Sequence, residues 1–200
     1  MQNHPTKPLK SDLLTQGNLL TQGDLLIKSQ LPILGICAAG SNAGKTTLVT
    51  LLIPELKSRN ISVSVIKHAH HKFDIDHPGK DSYKIREAGA VQTLIASSKR
   101  WALMTELVDA DNEANLAGLI QQINPEYADL ILVEGFKSAA IRKIEVVRPS
   151  LNTPLLASLD TNIIALASDA PLNQHLNIPV LDLNNISQIA DFIMQEMITK

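Results

Sequence analysis

The chain has 200 residues, enough for one domain of ordinary size. Apolar residues make up 44% and charged residues 19%, which excludes a wholly disordered chain. Eighteen Lys and Arg against twenty Asp and Glu leave a net charge of −2, so no global basic field exists to hold nucleic acid or an anionic membrane. No apolar run reaches the ~18 residues of a membrane span. Cys37 is the single cysteine and can form neither an internal disulfide nor a cysteine zinc site. The N-terminus lacks the continuous apolar stretch of an export signal, so a cytoplasmic protein is expected.

Residues 1–30 read as a flexible N-terminal extension. The unit Leu13-Leu14-Thr15-Gln16-Gly17-Asn18 recurs as Leu19-Leu20-Thr21-Gln22-Gly23-Asp24, followed by Leu25-Leu26. Six residues advance roughly 600° on a helix, so successive leucine pairs do not share a stripe. The folded domain is placed at residues 31–200.

Within it, Ile33 to Ala38 is an apolar strand that runs into a small-residue loop. Leu48, Leu51, Leu52 and Leu56 predict a helix over Lys45 to Arg59, kinked or loosened at Pro54. Ile61 to Lys67 is a β-branched strand. Asp81 to Ala88 predicts a short helix, with Asp81 as N-cap and Gly89 at its stop. Val91 to Ser97 and Trp101 to Thr105 suit a hairpin. Leu116, Leu119, Ile120 and Ile123 mark another helix. Strands follow at Leu130 to Val133, Lys143 to Val147, Ile163 to Ala167 and Val180 to Leu183. Ile186, Ile189, Ala190, Ile193 and Met197 mark the closing helix. This alternation predicts an α/β fold with a mostly parallel sheet flanked by helices. The hairpin and the strand near Val146 break the alternation, and are expected as an antiparallel edge or a projecting ribbon.

Ligands in such sheets sit at the carboxyl ends of the strands. The first strand leads into Ala39-Gly40-Ser41-Asn42-Ala43-Gly44-Lys45-Thr46-Thr47, the strand–loop–helix setting of a phosphate-binding P-loop. Small residues let the backbone N–H groups turn toward phosphate, and the helix N-terminus adds partial positive charge. Lys45 is expected on the β- and γ-phosphates, and the Thr46 hydroxyl on Mg²⁺. The generic pattern wants glycine where this chain has Ala39.

A Mg-nucleotide site also needs a carboxylate at a neighbouring strand end. Asp129 and Glu134 flank the strand Leu130 to Val133, about 16 Å apart at ~3.3 Å per residue. Glu134 lies at the phosphate end, and is expected to support the metal or orient the attacking water. Asp129 belongs to the opposite edge. His68, His70 and His71 follow the second strand, where they read either as transition-metal ligands or as a polar loop. Asp76 is a candidate for a further metal contact. Asp169 ends the strand Ile163 to Ala167. Its carboxylate could accept from guanine N1–H and N2–H together, which adenine cannot match; the other reading is a turn residue before Pro171.

Together, G-K-T-T, I-K-H-A-H-H, P-G-K-D-S-Y at Pro78 to Tyr83, R-W-A-L-M-T-E at Arg100 to Glu106, L-I-L-V-E-G-F-K at Leu130 to Lys137 and A-S-D-A-P-L-N at Ala167 to Asn173 resemble the molybdopterin-guanine dinucleotide biosynthesis adapter family, MobB. The matches run from about Leu34 to the C-terminus. The resemblance implies a homodimeric GTP-binding P-loop protein with weak GTPase activity. It implies assistance to the MobA-type guanylyltransferase that joins GMP to molybdopterin. It also implies that the irregular strands build an intersubunit sheet. The rival reading is an ATP-dependent ligase or kinase, since V-E-G is similar to the strand end of dethiobiotin synthetase. Arg86, Arg100, Arg142 and Arg148 are the possible catalytic arginines.

Overall fold

The structure is a computed structural model and describes residues 29–69, 73–107, 114–173 and 176–199. The repeated leucine unit lies outside them, as do His70 and His71.

In chain order the elements are β1 (Ile33–Cys37), α1 (Lys45–Ser58), β2 (Val63–Lys67), α2 (Asp81–Glu87), β3 (Gln92–Ala96), β4 (Trp101–Thr105), α3 (Leu116–Ile120), β5 (Leu130–Glu134), β6 (Lys143–Val147), β7 (Ile163–Ser168), β8 (Val180–Asp182) and α4 (Ile186–Ile193). Six of these strands form one sheet in the order β2-β5-β1-β6-β7-β8, each neighbouring pair parallel. Every residue of β1 and β5 is buried, because both faces of the sheet are covered.

The faces divide by alternation. Leu34 and Ile36 of β1, Leu130 and Leu132 of β5, and Ile144 and Val146 of β6 point to one side. There they pack with Leu48, Leu52 and Leu56 of α1 and Ile189, Ala190 and Ile193 of α4. Ile33, Ile131 and Val133 point to the other side, against Leu116 and Ile120 of α3 and the loop residues Phe136 and Ile141. Beside them, Cys37, Val147, Ile163 and Leu166 form a third cluster under the irregular segment that carries Leu155 and Leu156.

The hairpin forms as expected: β3 and β4 pair antiparallel, with Leu94 opposite Leu103 and Ala96 opposite Trp101. Strand β6 corrects the sequence reading. It is neither edge nor ribbon but an interior parallel strand between β1 and β7. A parallel crossover ordinarily needs a dozen or more residues. Here the eight residues 135–142 suffice because the strands are staggered. Ile36 is level with both Glu134 and Ile144, so the chain need only pass sideways over β1.

One helix cap and one expected helix break also differ. Lys80, not Asp81, is the N-cap of α2, and Asp81 lies in its first turn. Helix α1 continues through Pro54 for its full 14 residues.

Candidate functional site: the phosphate loop and the carboxyl ends of β1, β2 and β5

The loop that joins β1 to α1 carries its left-handed turns at Asn42, with φ of 59°, and at Gly44, with φ of 102°. Residue 39 is not among the positive-φ positions, so alanine fits there without backbone strain. Gly44 is the N-cap of α1 and supplies no side-chain bond to it. The first N–H groups of a helix have no partner inside it, and here the partial positive charge of a 14-residue helix faces the loop. Lys45 folds back over the loop, its Nζ donating to the Gly40 carbonyl at 2.9 Å. Ser41, Asn42 and Thr47 are exposed, while Ala43 is buried beneath them.

Thr46 and Glu134, which the sequence reading assigned separately to Mg²⁺, are in direct contact. The Thr46 hydroxyl donates to Glu134 Oε1 at 2.6 Å, although the residues stand 88 positions apart. Glu134 is buried at the end of β5. Its register partner in β2 is Lys67. Lys67 Nζ donates to the same Oε1 at 2.5 Å and to Thr46 Oγ1 at 3.0 Å. Hydroxyl and carboxylate oxygens are the hard donors that Mg²⁺ takes, and here both already hold a cationic group. The residues therefore fit a divalent ion chemically. Lys67 is the functional candidate that sequence reasoning missed. The signal was available, since it ends the strand beside Glu134, but it stood in front of a more conspicuous histidine run.

On the other side of the loop, Arg148 follows β6. Its Nε donates to the Ala43 carbonyl at 3.0 Å, and Nη1 is paired with Asp169 Oδ2. A Cβ on Gly44 would lie 3.2 Å from Nη2 of the same guanidinium. Asp169 thus stands at the end of β7, bound through Arg148 to the phosphate loop. The other candidate arginines have different partners. Arg142 pairs with Glu196, and the Arg100 carbonyl closes the β3–β4 turn by accepting from Ser97. Arg86 is the centre of an acidic cluster, donating to Asp74 at 2.9 Å and Asp76 at 3.2 Å. The Asp76 carboxylate, a candidate metal contact in the sequence, therefore takes Arg86 as its partner. His68 stacks on Phe136 at 4.6 Å between ring centroids. No group of three or more His, Cys, Asp or Glu residues suited to a metal exists among the described residues. Asp129 lies at the opposite edge, where its Oδ2 accepts from Ser62 N at 2.8 Å and Ser62 Oγ at 2.5 Å. Those bonds hold its carboxyl below the usual carboxylate range.

Beneath the loop lies a buried polar layer that the strand reading did not expect. Lys143 is fully buried, with Nζ 2.6 Å from Asp160 Oδ2 and also bound to the Ala139 carbonyl. Glu145 accepts from the backbone of Leu156 at 2.8 Å and of Ala157 at 2.9 Å. Burial raises its carboxyl above the usual range in spite of those two bonds. Cys37 is its register partner. Burial, then the Glu145 charge, push the Cys37 thiol up to about 12, so it stays protonated and unreactive at neutral pH.

Known proteins similar to this chain fall in one family. The family described as molybdopterin guanine dinucleotide synthesis protein B, MobB, matches residues 33–169. A molybdopterin-guanine dinucleotide biosynthesis adapter protein of Escherichia coli is 47% identical over 171 residues, covering 85% of this chain and 95% of that protein. The protein of the same description from Haemophilus influenzae is 46% identical, covering 82% and 89%. A crystal structure of molybdopterin-guanine biosynthesis protein B superposes with a TM-score of 0.62 at 26% identity, over 82% of this chain and 98% of that one. Bacillus subtilis MobB shares the fold, with a TM-score of 0.64 at 21% identity over 85% and 100%. No helix among the described residues is long and apolar enough to cross a membrane. With a P-loop NTPase fold, the family match across the phosphate loop and both strand-end carboxylates, and close relatives along most of its length, this chain belongs to the MobB family.

Proposed function

We propose that the chain is a GTP-binding adapter with slow GTPase activity that assists a MobA-type guanylyltransferase in making molybdopterin-guanine dinucleotide. The observation that carries the nucleotide reading is the meeting of Thr46 and Glu134 beside the open N-terminus of α1. In this reading the backbone of Gly40 to Gly44 and Lys45 hold the phosphates, and Thr47 completes the loop. Thr46 holds Mg²⁺, which neutralises phosphate charge, and Glu134 supports the metal or the attacking water. Asp169 reads guanine through N1–H and N2–H. Slow turnover fits the arginines. Arg148 touches the loop, but it is held by Ala43 and Asp169 rather than aimed at a departing phosphate. The adapter is a homodimer and meets its partner enzyme, and molybdopterin, in the cytoplasm.

The test is a calorimetric titration of GTP and ATP, each with Mg²⁺, into wild type and Lys45→Ala. Saturable GTP binding is expected, lost in the variant and at least ~10-fold weaker for ATP, the size of one well-placed hydrogen-bond pair. Tighter ATP than GTP binding would overturn the role of Asp169 and favour the ligase or kinase reading.

A further inference from the structure

Lys67 is unusual among the residues at the site because it already performs an electrostatic task there. Its ammonium is 2.5 Å from Glu134 Oε1 and 3.0 Å from Thr46 Oγ1, while those two oxygens are 2.6 Å apart. The Glu134 side chain is 8% exposed, so its charge is held away from water and needs a positive neighbour. Lys67 supplies it, from a side chain that is itself 52% exposed and free to swing on four methylenes. A divalent ion bound to the same two oxygens would sit within a few ångströms of the ammonium, and like charges that close repel.

We infer that Lys67 is an internal cation, holding Thr46 and Glu134 in register until a divalent ion displaces it, and that it then turns to the terminal phosphate of the nucleotide. This rests on the reading of Thr46 and Glu134 as the metal-binding pair. Lys67 therefore opposes metal binding in the nucleotide-free protein. Phosphate offers the displaced ammonium a new partner, so triphosphate and metal enter together. The strand geometry favours this exchange. Lys67 is the last residue of β2 and the register partner of Glu134, so the ammonium moves on a fixed base.

The test measures Mn²⁺ binding to the full chain without nucleotide, by electron paramagnetic resonance. Lys67→Met and Lys67→Gln are expected to bind Mn²⁺ about tenfold tighter or more than wild type, because a like charge a few ångströms away has gone. Lys67→Arg keeps the charge and is expected to bind as weakly as wild type. Adding Glu134→Gln to Lys67→Met should abolish the gain, which assigns it to this pair of oxygens. Equal or weaker Mn²⁺ binding by both neutral variants would overturn the inference. The Mg-GTP titration of wild type separates the two readings. Nucleotide binding with unchanged Mn²⁺ affinity in the neutral variants defeats only the role of Lys67. Tighter Mn²⁺ binding in those variants, with no nucleotide binding by wild type, upholds the displaced cation and defeats the nucleotide.

Discussion

Gly135 has no room for a side chain. It follows Glu134 with φ of +92°, and a Cβ there would stand 2.8 Å from His68 Cβ. That contact is with the root of a side chain that stacks on Phe136, so it cannot be relieved by a rotamer change. Phe136 itself takes φ of 46°, giving two successive left-handed residues where the chain leaves β5. The turn aims the Glu134 carboxylate, while the Glu134 carbonyl accepts from His68 N at 2.9 Å and keeps β2 and β5 together to their ends. Gly135→Ala should therefore lower the unfolding free energy by about 1–3 kcal/mol, a strained backbone plus a displaced neighbour. Urea denaturation checks this. An unchanged midpoint would show that the turn relaxes freely. The same variant should weaken Mg-GTP binding, because Glu134 loses its fixed position.

Helix α1 raises a different question, since it carries Pro54 without interruption. Proline removes an N–H donor and crowds the carbonyl four residues back, a cost of ~3 kcal/mol in a helix interior. Pro54 is exposed, so no packing is lost on truncation. The helix persists because Leu48, Val49, Leu52 and Leu56 are buried along its other side. Pro54→Ala should raise stability by about 1–3 kcal/mol, seen as a higher denaturant midpoint. A lower midpoint would mean that the ring makes a contact worth more than its backbone cost. The helix also shows why some elements were legible and others not. Its leucines, the apolar runs of β1 and β5 and the Ser97–Arg100 turn each carry a local pattern, and each formed. The position of Glu134 was legible too, because strand direction alone assigns it to the carboxyl end of β5, near the loop; its direct bond to Thr46 was not foreseen. Strand β6 was misplaced because its position depends on a stagger against β1, which no local pattern encodes. Lys143 and Glu145 received no role from the sequence beyond membership of that strand. Both are buried, satisfied by Asp160, the Ala139 carbonyl and the backbone of Leu156 and Ala157, partners that lie in irregular segments and leave no periodic trace.

The ribbon is an insertion between β2 and β5, the two strands that end at Lys67 and Glu134. The chain leaves β2 at Lys67, beside Glu134, and enters α2, β3 and β4 before returning through α3 to β5. The ribbon forms a separate two-stranded sheet. Two strands alone are marginal in water, and an apolar face on them needs cover. Leu94, Leu103 and Trp101 share one face by register, and are 60%, 41% and 61% exposed. In the homodimer proposed above, a second copy supplies that cover. Leu94→Glu combined with Trp101→Glu places two like charges per chain on this face, and four where two copies meet. Light scattering should then report twice the 21.8 kDa chain mass for wild type and the single chain mass for the variant. Mg-GTP titration should be unchanged, because neither residue touches the phosphate loop or the Thr46–Glu134 pair. A wild-type chain that stays at single mass at every concentration would exclude this dimer. A variant that still runs at twice that mass would place the interface elsewhere. The second result would also leave the ribbon's apolar face open to the partner enzyme.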